Sequence, residues 1–419
     1  MIVGGGIAGI SAAVEAAEAG CGVLLVERAP YLGGRVAQMH QYFPKLCPPL
    51  CGLEINLRRF RDNNRLSVVT LAEVTEVFEH ESHLRVKVRQ QPRYVGDQCS
   101  ACGKCIEVCP NQRNDLFNFG LGSTRAIYLP HAAAVPSRCV IDKKHCSGAS
   151  CSKCKNVCER HAIELEMSPN EFDIDVQSLI WTTGWQPYDA HKLNELAYGS
   201  HPDIITNMMM ERIASPLGPT LGKIRCPSDG REPKTIAFVQ CAGSRDDAHQ
   251  SYCSAVCCMA TAKQVNYVRS VLPECKISVH YIDRRAQGNG ERFLSKAESE
   301  SNVRYVNGKV GRVSIDSGHP VVVYEDIGKT TLISETVDLV VLATGITPSS
   351  CSSFNADVAR RTADGFLSDT QASPRQFVAG CAKRPMDVAS SVRDATCTVA
   401  CALARFKQGA TMDSTRNIQ

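Results

Sequence analysis

The sequence predicts an α/β protein of two Rossmann-like dinucleotide-binding units with a cysteine-rich insertion. Three observations carry that expectation. An apolar strand opens directly into Gly4-Gly5-Gly6-Ile7-Ala8-Gly9, a second strand over 235–240 ends in a turn holding cysteines, and two clustered cysteine runs interrupt the chain between residues 93 and 165. A chain of 419 residues is long enough for about two or three domains with ample core.

The opening segment justifies the first unit. Ile2 and Val3 precede the glycines, a helical stretch over 10–19 follows, and an apolar strand over 22–27 ends at Glu27. A dinucleotide fingerprint needs one glycine for the tight turn, one for approach to a pyrophosphate and one for helix packing, and Gly4, Gly6 and Gly9 fit those roles. Glu27 falls where a ribose hydroxyl is gripped. Glycines alone could be a helix cap, but strand, loop, helix, strand and terminal acid together specify a cofactor site. Tyr31-Leu32-Gly33-Gly34-Arg35 then resembles the doublet that follows the acidic strand in flavoproteins, which points to FAD over free NAD. The first strand is only two residues long, which leaves open whether residues upstream of Met1 are missing.

Two later apolar runs, 173–184 and 337–345, end in Thr-Gly at Gly184 and Gly345. Each alone is also compatible with a buried strand and a turn. In this order they resemble the crossover points of thioredoxin reductase-like flavoproteins, whose FAD domain is interrupted by a second Rossmann-like domain. Phe377-Val378-Ala379-Gly380-Cys381 leads into a helical segment from Asp387 to about residue 406. In such flavoproteins the positive end of that helix faces the flavin pyrimidine and stabilises the reduced ring. Cys381 stands where an acidic residue is common, which removes one expected ribityl contact.

The insertion carries the most specific motif. Cys99, Cys102, Cys105 and Cys109-Pro110 match the bacterial ferredoxin run Cys-x2-Cys-x2-Cys-x3-Cys-Pro, whose fourth cysteine serves the other cluster of a pair. The partner run is Cys146, Cys151, Cys154 and Cys158, with a first spacing longer than usual. Ferredoxin logic assigns Cys99, Cys102, Cys105 and Cys158 to one 4Fe–4S cluster and Cys146, Cys151, Cys154 and Cys109 to the other. Structural zinc uses similar Cys-x2-Cys pairs and is the alternative. Residues 111–138 are unusually many for a ferredoxin and offer a contact surface.

The second unit runs from about residue 234, with a strand to 240, a helix over 254–272 and a strand over 277–282. Where a nicotinamide domain carries its glycine loop, this chain has Cys241, Cys253, Cys257 and Cys258. Thiols at a strand-to-helix turn are soft ligands suited to iron, so nicotinamide binding is not expected. Asp283 is accordingly read as a solvated turn residue. Lys263 lies five residues after Cys258, a step that turns it roughly 140° away, so spacing alone favours a solvent-facing side chain.

Twenty-two cysteines in short clusters, without a signal peptide, favour metal in a reducing compartment over a disulfide scaffold. The net charge of +4 and the lack of a membrane-length apolar run indicate neither a nucleic-acid surface nor direct membrane insertion. Cys47 and Cys51 follow the flavin doublet and could mimic a redox disulfide, but two intervening prolines favour a structural role. The scattered Cys21, Cys226, Cys275, Cys351, Cys397 and Cys401 are read as small buried apolar residues.

Phe238-Val239-Gln240-Cys241-Ala242-Gly243-Ser244-Arg245, Tyr252-Cys253 with Cys257-Cys258-Met259, Trp185 with Pro187-Tyr188-Asp189, and Gly380-Cys381 with Pro385 and Asp387 resemble the family of heterodisulfide reductase flavin subunits, the A-type iron–sulfur flavoproteins. Within it, residues 31–36 and 41–54 are most similar to the A-type flavin subunits of quinone-interacting membrane-bound oxidoreductase complexes. The resemblance spans essentially the whole chain. It implies a third 4Fe–4S cluster on Cys241, Cys253, Cys257 and Cys258, and Lys263 beside the flavin N5 as a stabiliser of reduced-flavin charge. FAD would contact Gly4, Gly6, Gly9, Glu27, Gly33, Gly34, Arg35, Gly184, Gly345, Gly380 and Asp387.

The implied domains are 1–92 and 342–419 for FAD, 166–232 for the continuation of the FAD domain and a linker, 93–165 for the two-cluster insertion, and 233–341 for the second unit. The implied role is a cytoplasmic electron-transfer subunit, peripheral to the inner face of the membrane through its partners. Those partners would be adenylylsulfate reductase, a second flavin/iron–sulfur subunit, and a quinone-reactive subunit in the membrane. The alternative is a heterodisulfide reductase-type subunit exchanging electrons with hydrogenase, formate or ferredoxin systems. A zinc-binding flavoprotein scaffold without turnover is a further reading.

Overall fold

The computed structural model describes residues 1–43, 45–286, 290–328, 330–349, 360–368 and 373–416. Its first sheet is parallel and five-stranded, in the order Gln376–Val378, Leu179–Trp181, Ile2–Val3, Val23–Glu27, Leu66–Thr70. Strands buried on both faces need apolar runs, which these supply. The helix Ile7–Glu18 buries Ala8, Ala12, Ala13, Ala16 and Ala17, and the C-terminal helix Val388–Arg416 packs into the same core through Ala395, Val399 and Ala402. Small side chains on both helices permit close approach.

The run 173–184, expected as one strand, divides between two sheets. Asn170–Val176 pairs antiparallel with Leu84–Gln90, and Leu179–Trp181 enters the parallel sheet. The alternating exposure of the first piece and full burial of the second show why one apolar pattern could not serve both. Because Gln90 pairs with Asn170, residues 91–169 form an excursion that leaves and re-enters at one end of a hairpin-like pair. Its core holds Val95, Ile127, Ile141, Ala162 and Ile163 together with cysteines of both runs. Two short helices, Lys104–Glu107 and Lys153–Asn156, each start after a left-handed residue, Gly103 at φ 84° and Ser152 at φ 47°.

The second parallel sheet has the order Ile204–Thr206, Leu339–Thr344, Thr235–Ala242, Lys276–Tyr281, Val303–Asn307. It reaches back to Ile204, in a stretch read from sequence as linker, and its strand Leu339–Thr344 crosses the expected boundary at 341. Two segments join the units. Trp185–Pro187 and Ile346–Pro348, which follow the two Thr-Gly pairs, form a two-stranded antiparallel ribbon. Among the described residues no helix is long and apolar enough to cross a membrane.

Candidate functional site: a flavin cavity between cysteine clusters

A cavity of about 400 Å³ opens where the first glycine loop, the crossover ribbon and the cysteine-bearing helix meet. Gly4, Gly6, Glu27, Gly34, Arg35, Gly184 and Asp387 line it, as the sequence predicts for a cofactor site. The glycines differ in what they do. A Cβ on Gly4 would stand 2.3 Å from the Thr182 carbonyl oxygen, and Gly4 holds φ 111°, whereas a Cβ on Gly6 would meet no protein atom within 4 Å. Gly6 therefore presents bare backbone to open space, the cradle a pyrophosphate needs. Glu27 accepts from Ala29 N at 2.6 Å and from Gly5 N, and burial pushes its carboxyl above the usual range despite both bonds.

Four of the expected contacts do not line the cavity. Gly9 sits where a Cβ would be 1.8 Å from the Gly4 carbonyl oxygen, so its role is helix packing. Gly33 donates to Gly5 O at 2.8 Å and holds φ 112°, shaping the loop from behind. Gly380, at φ 67°, packs on Ala8 and donates to Asp394 Oδ2 at 2.8 Å. Gly345 is displaced furthest from expectation: a Cβ there would lie 2.3 Å from Ser244 Oγ and 2.5 Å from Ser254 Oγ. That glycine makes room for the cysteine loop. The same loop grips the next residue through Gln250 Nε2 and Tyr252 OH on Ile346 O and Ile346 N on Ser254 Oγ, and Ile346 does line the cavity.

The helix Val388–Arg416 points its N-terminus at this space. Asp387 caps it, Oδ1 accepting from Ser390 N at 2.7 Å, and Met386, Val388 and Ser391 join the lining. Cys381 also lines the cavity, with its thiol 3.3 Å from Met386 O. Spacing does not single out Tyr42, Phe43, Met386 and Ser391. The aromatic pair just ahead of Cys47 is a readable signal for the first two.

Lys263 is buried, contrary to the solvent-facing position that its spacing favours. Its side chain is 6% exposed, donates to Gln41 O at 2.6 Å and pairs with Glu211 Oε1 at 3.1 Å. Val256, Ala260 and Lys263 follow one another at helical spacing along the wall of the cavity. Glu211 also accepts from His40 N at 2.9 Å, Gln264 Nε2 at 2.8 Å and Tyr267 OH at 3.2 Å. The short helix Asn207–Ala214, started by Thr206 Oγ1 accepting from Met209 N, thus clamps the 38–41 loop beside Lys263.

The four cysteines of the second unit gather at one turn. Cys241 stands one residue before the end of its strand at φ 55°, and Cys257 and Cys258 begin the helix Cys257–Val271. Ala255 N donates to Cys253 Sγ at 3.3 Å; the Cys257 and Cys258 thiols lie near Thr344 O and Asp283 O. Burial, then the neighbouring thiols, pushes Cys241 up to about 11 and Cys257 higher. Val256, adjacent to Cys257, lines the flavin cavity, so cysteine turn and cavity share a wall. Asp283 is half-exposed and bridges Arg245 and Arg285.

In the insertion, Cys109 leaves its own run to join Cys146, Cys151 and Cys154 around a small cavity of about 20 Å³. Cys99, Cys105 and Cys158 pack in the same core, while Cys102 is exposed. Backbone amides donate to Cys99, Cys146 and Cys158 sulfurs from Ala101, Gly148 and Ala162 at 3.3–3.4 Å. Among the described residues no three Cys, His, Asp or Glu side chains converge at single-ion distances. Of the scattered thiols, Cys226 and Cys275 are buried and Cys21 half-buried, but Cys397 and Cys401 are exposed; Cys351 lies outside the described residues. Cys47 is half-buried and Cys51 exposed, both as free thiols.

Residues 111–138 do form a contact surface, and it faces the flavin loop. Leu32 N donates to Val135 O at 2.8 Å, Gln38 Nε2 to Phe117 O at 2.9 Å, and Arg212 Nε to Asn118 Oδ1 at 2.8 Å. Tyr31 meets Phe117 and His131 edge-on at 5.6 and 5.0 Å between ring centroids. Burial keeps His131 neutral, lowering it to about 4, and raises Tyr31 to about 12.

Comparison with known proteins agrees with this geometry. Residues 1–67 match the family described as FAD dependent oxidoreductase. The chain is 36% identical, over 94% of its length, to the A-type subunit of the Ferredoxin/F(420)H(2)-dependent CoB-CoM heterodisulfide reductase of Methanosarcina acetivorans, covering 51% of that protein. It is 35% identical over 98% of its length to an A-type iron-sulfur subunit of the CoB--CoM heterodisulfide reductase of Methanopyrus kandleri, covering 64% of it. Over nearly its whole length the chain is thus similar to A-type heterodisulfide reductase subunits. It spans about half to two thirds of the length of these curated relatives. Its fold is that of thioredoxin reductase: the Lactococcus lactis enzyme superposes with a TM-score of 0.53 at 12% identity, covering 97% of this chain and 98% of that one. The T. acidophilum enzyme gives 0.52 at 14% identity, covering 96% of each.

Proposed function

We propose that this chain is the FAD and iron–sulfur electron-transfer component of a multi-subunit heterodisulfide reductase-type oxidoreductase. The observation that carries the reading is the shared wall: Val256, which lines the flavin cavity, adjoins Cys257 of the four-cysteine turn, and the thiol-bearing insertion docks on Tyr31 and Gln38, which line the same cavity. Gly4, Gly6, Glu27, Gly34, Arg35, Gly184 and Asp387 would hold FAD, which supplies conversion between two-electron and one-electron transfer when bound. Three 4Fe–4S clusters would be held by the thiol sets Cys99/Cys102/Cys105/Cys158, Cys109/Cys146/Cys151/Cys154 and Cys241/Cys253/Cys257/Cys258. Lys263, fixed by Glu211 and Gln41, offers positive charge to the cavity, and the Asp387-capped helix offers a second positive end.

The relatives' names include hydrogen-, ferredoxin- and F420H2-dependent heterodisulfide reductases, and electron carriers of those kinds are the partners we place first. Electron exchange with adenylylsulfate reductase, with a quinone-reactive partner in the membrane, is the second reading, resting on the segments 31–36 and 41–54, whose Tyr31, Tyr42 and Phe43 line the cavity. Native copurification separates the two: heterodisulfide reductase-type subunits support the first, a quinone-reactive membrane protein the second. Anaerobic purification with metal analysis tests the common core. About twelve irons per chain with matching acid-labile sulfide and one FAD is the expected result, and zinc without sulfide would refute it.

A further inference from the structure

A cysteine that belongs to neither ferredoxin-type run lies against the first thiol set. Cys139 is 1% exposed, and its Sγ stands 3.9 Å from Cys105 Sγ within the core that also holds Cys99 and Cys158. A four-iron cluster takes four protein thiolates, and Cys99, Cys102, Cys105 and Cys158 already supply that number. Cys139 is therefore a fifth sulfur, placed behind a ligand.

Its backbone is held with unusual care for a space-filling residue. Arg93, 8% exposed, donates to Arg138 O at 3.3 Å and Cys139 O at 3.5 Å, and its other nitrogen reaches Thr70 Oγ1 at 2.9 Å and the Pro30 carbonyl. Next along the chain, Val140–Ile141 pairs with Ile127–Tyr128. One guanidinium thus ties the Cys139 position to the loop that enters the flavin cavity at Tyr31.

Resting on the cluster reading above, we infer that Cys139 is a non-ligating thiol that donates its S–H to the Cys105 sulfur and raises the reduction potential of the cluster held by Cys99, Cys102, Cys105 and Cys158. A hydrogen bond to a ligand sulfur stabilises the extra negative charge of the reduced cluster, and hydrogen bonds to sulfurs are among the factors that set cluster potentials. A thiol is a weak donor, but here it is buried away from bulk solvent.

The test uses the full chain, purified anaerobically, as wild type, Cys139→Ala and Cys139→Ser. Iron and sulfide are counted, and each cluster is titrated by electron paramagnetic resonance. Both variants should keep wild-type iron; in Cys139→Ala one cluster midpoint should move negative with the flavin and the other clusters unmoved. Cys139→Ser, which retains a donor at that point, should return toward wild type and so separate donation from volume. Loss of about a third of the iron in Cys139→Ala would make Cys139 a ligand and overturn the inference. Superimposable titrations in an iron-loaded protein would overturn it alone, whereas a wild type without iron would overturn the cluster reading together with it.

Discussion

At the first unit's strand-to-helix turn Gly4 holds φ 111° and Gly6 leaves open space beside bare backbone; at the second unit's turn Cys241 holds φ 55° and thiols occupy the corresponding region. Both turns follow a buried parallel strand and lead to a helix, Ile7–Glu18 in one and Cys257–Val271 in the other. The shared architecture fixes where chemistry can sit, and the side chains choose which chemistry. Amide groups at a glycine turn suit an anion; four thiols suit a metal cluster. The left-handed conformation of Cys241 carries a cost of about 1–3 kcal/mol for a residue with a Cβ. A strained cysteine held there, rather than the glycine that would relax it, fits the ligand role proposed for the second turn.

If that contrast is right, the largest difference is all-or-none. NADH or NADPH mixed anaerobically with the isolated chain should leave the flavin oxidised and should not bind tightly, because no glycine loop receives a pyrophosphate in the second unit. Rapid stoichiometric bleaching by either nucleotide would erase the distinction between the two turns.

Next in size is removal of one thiol. Cys257→Ala or Cys258→Ala should lower iron by about a third while FAD remains bound, since the first glycine loop belongs to a different sheet. Iron content and spectra unchanged by both substitutions would take the second turn out of the ligand set.

The reciprocal change falls on Gly6. A Cβ there would meet no protein atom within 4 Å, so Gly6→Val should leave the melting temperature of the FAD-free protein near wild type. It would occupy the space reserved for the cofactor, and FAD affinity should fall by at least about tenfold, which corresponds to about 1.4 kcal/mol. Wild-type affinity in this variant would mean that the cavity holds its ligand elsewhere.

How much of this was legible follows the same divide. The glycine loop and Glu27 could be read because each depends on residues within one strand–turn–helix, and the placement of Cys109 beside Cys146, Cys151 and Cys154 because it follows from the spacing of the two runs. Gly345 looked like a cofactor glycine, yet Ser244 and Ser254, about ninety or more residues earlier in the chain, are what require it to lack a side chain. The two pieces of the 173–184 run differ in pattern, Asp173-Ile174-Asp175-Val176 alternating and Leu179-Ile180-Trp181 continuously apolar, and reading them as one strand missed that the chain changes sheets between them. Cys139 lies outside both runs, and only the packing of the insertion brings it to Cys105.

Lys263 is the sharpest case, because its burial depends on Glu211 from another helix and on the Gln41 carbonyl from another unit, neither of which spacing can reveal. It also yields the smallest predicted effect. If its ammonium faces the bound flavin, Lys263→Met should lower the flavin midpoint potential, because the negative charge gained on reduction loses a nearby positive partner. A contact worth about 1.4 kcal/mol corresponds to about 30 mV for a two-electron couple, so a shift on the order of tens of millivolts is expected. Cluster midpoints should move less. The substitution also leaves Glu211 without its cation, although His40, Gln264 and Tyr267 still donate to it, so a structural effect must be separated from a charge effect. Lys263→Arg does this, since it restores the charge with altered geometry: its midpoint should lie close to wild type. If the Met variant titrates as wild type does, the buried pair is an architectural clamp on the 38–41 loop, and flavin tuning falls to the helix that Asp387 caps.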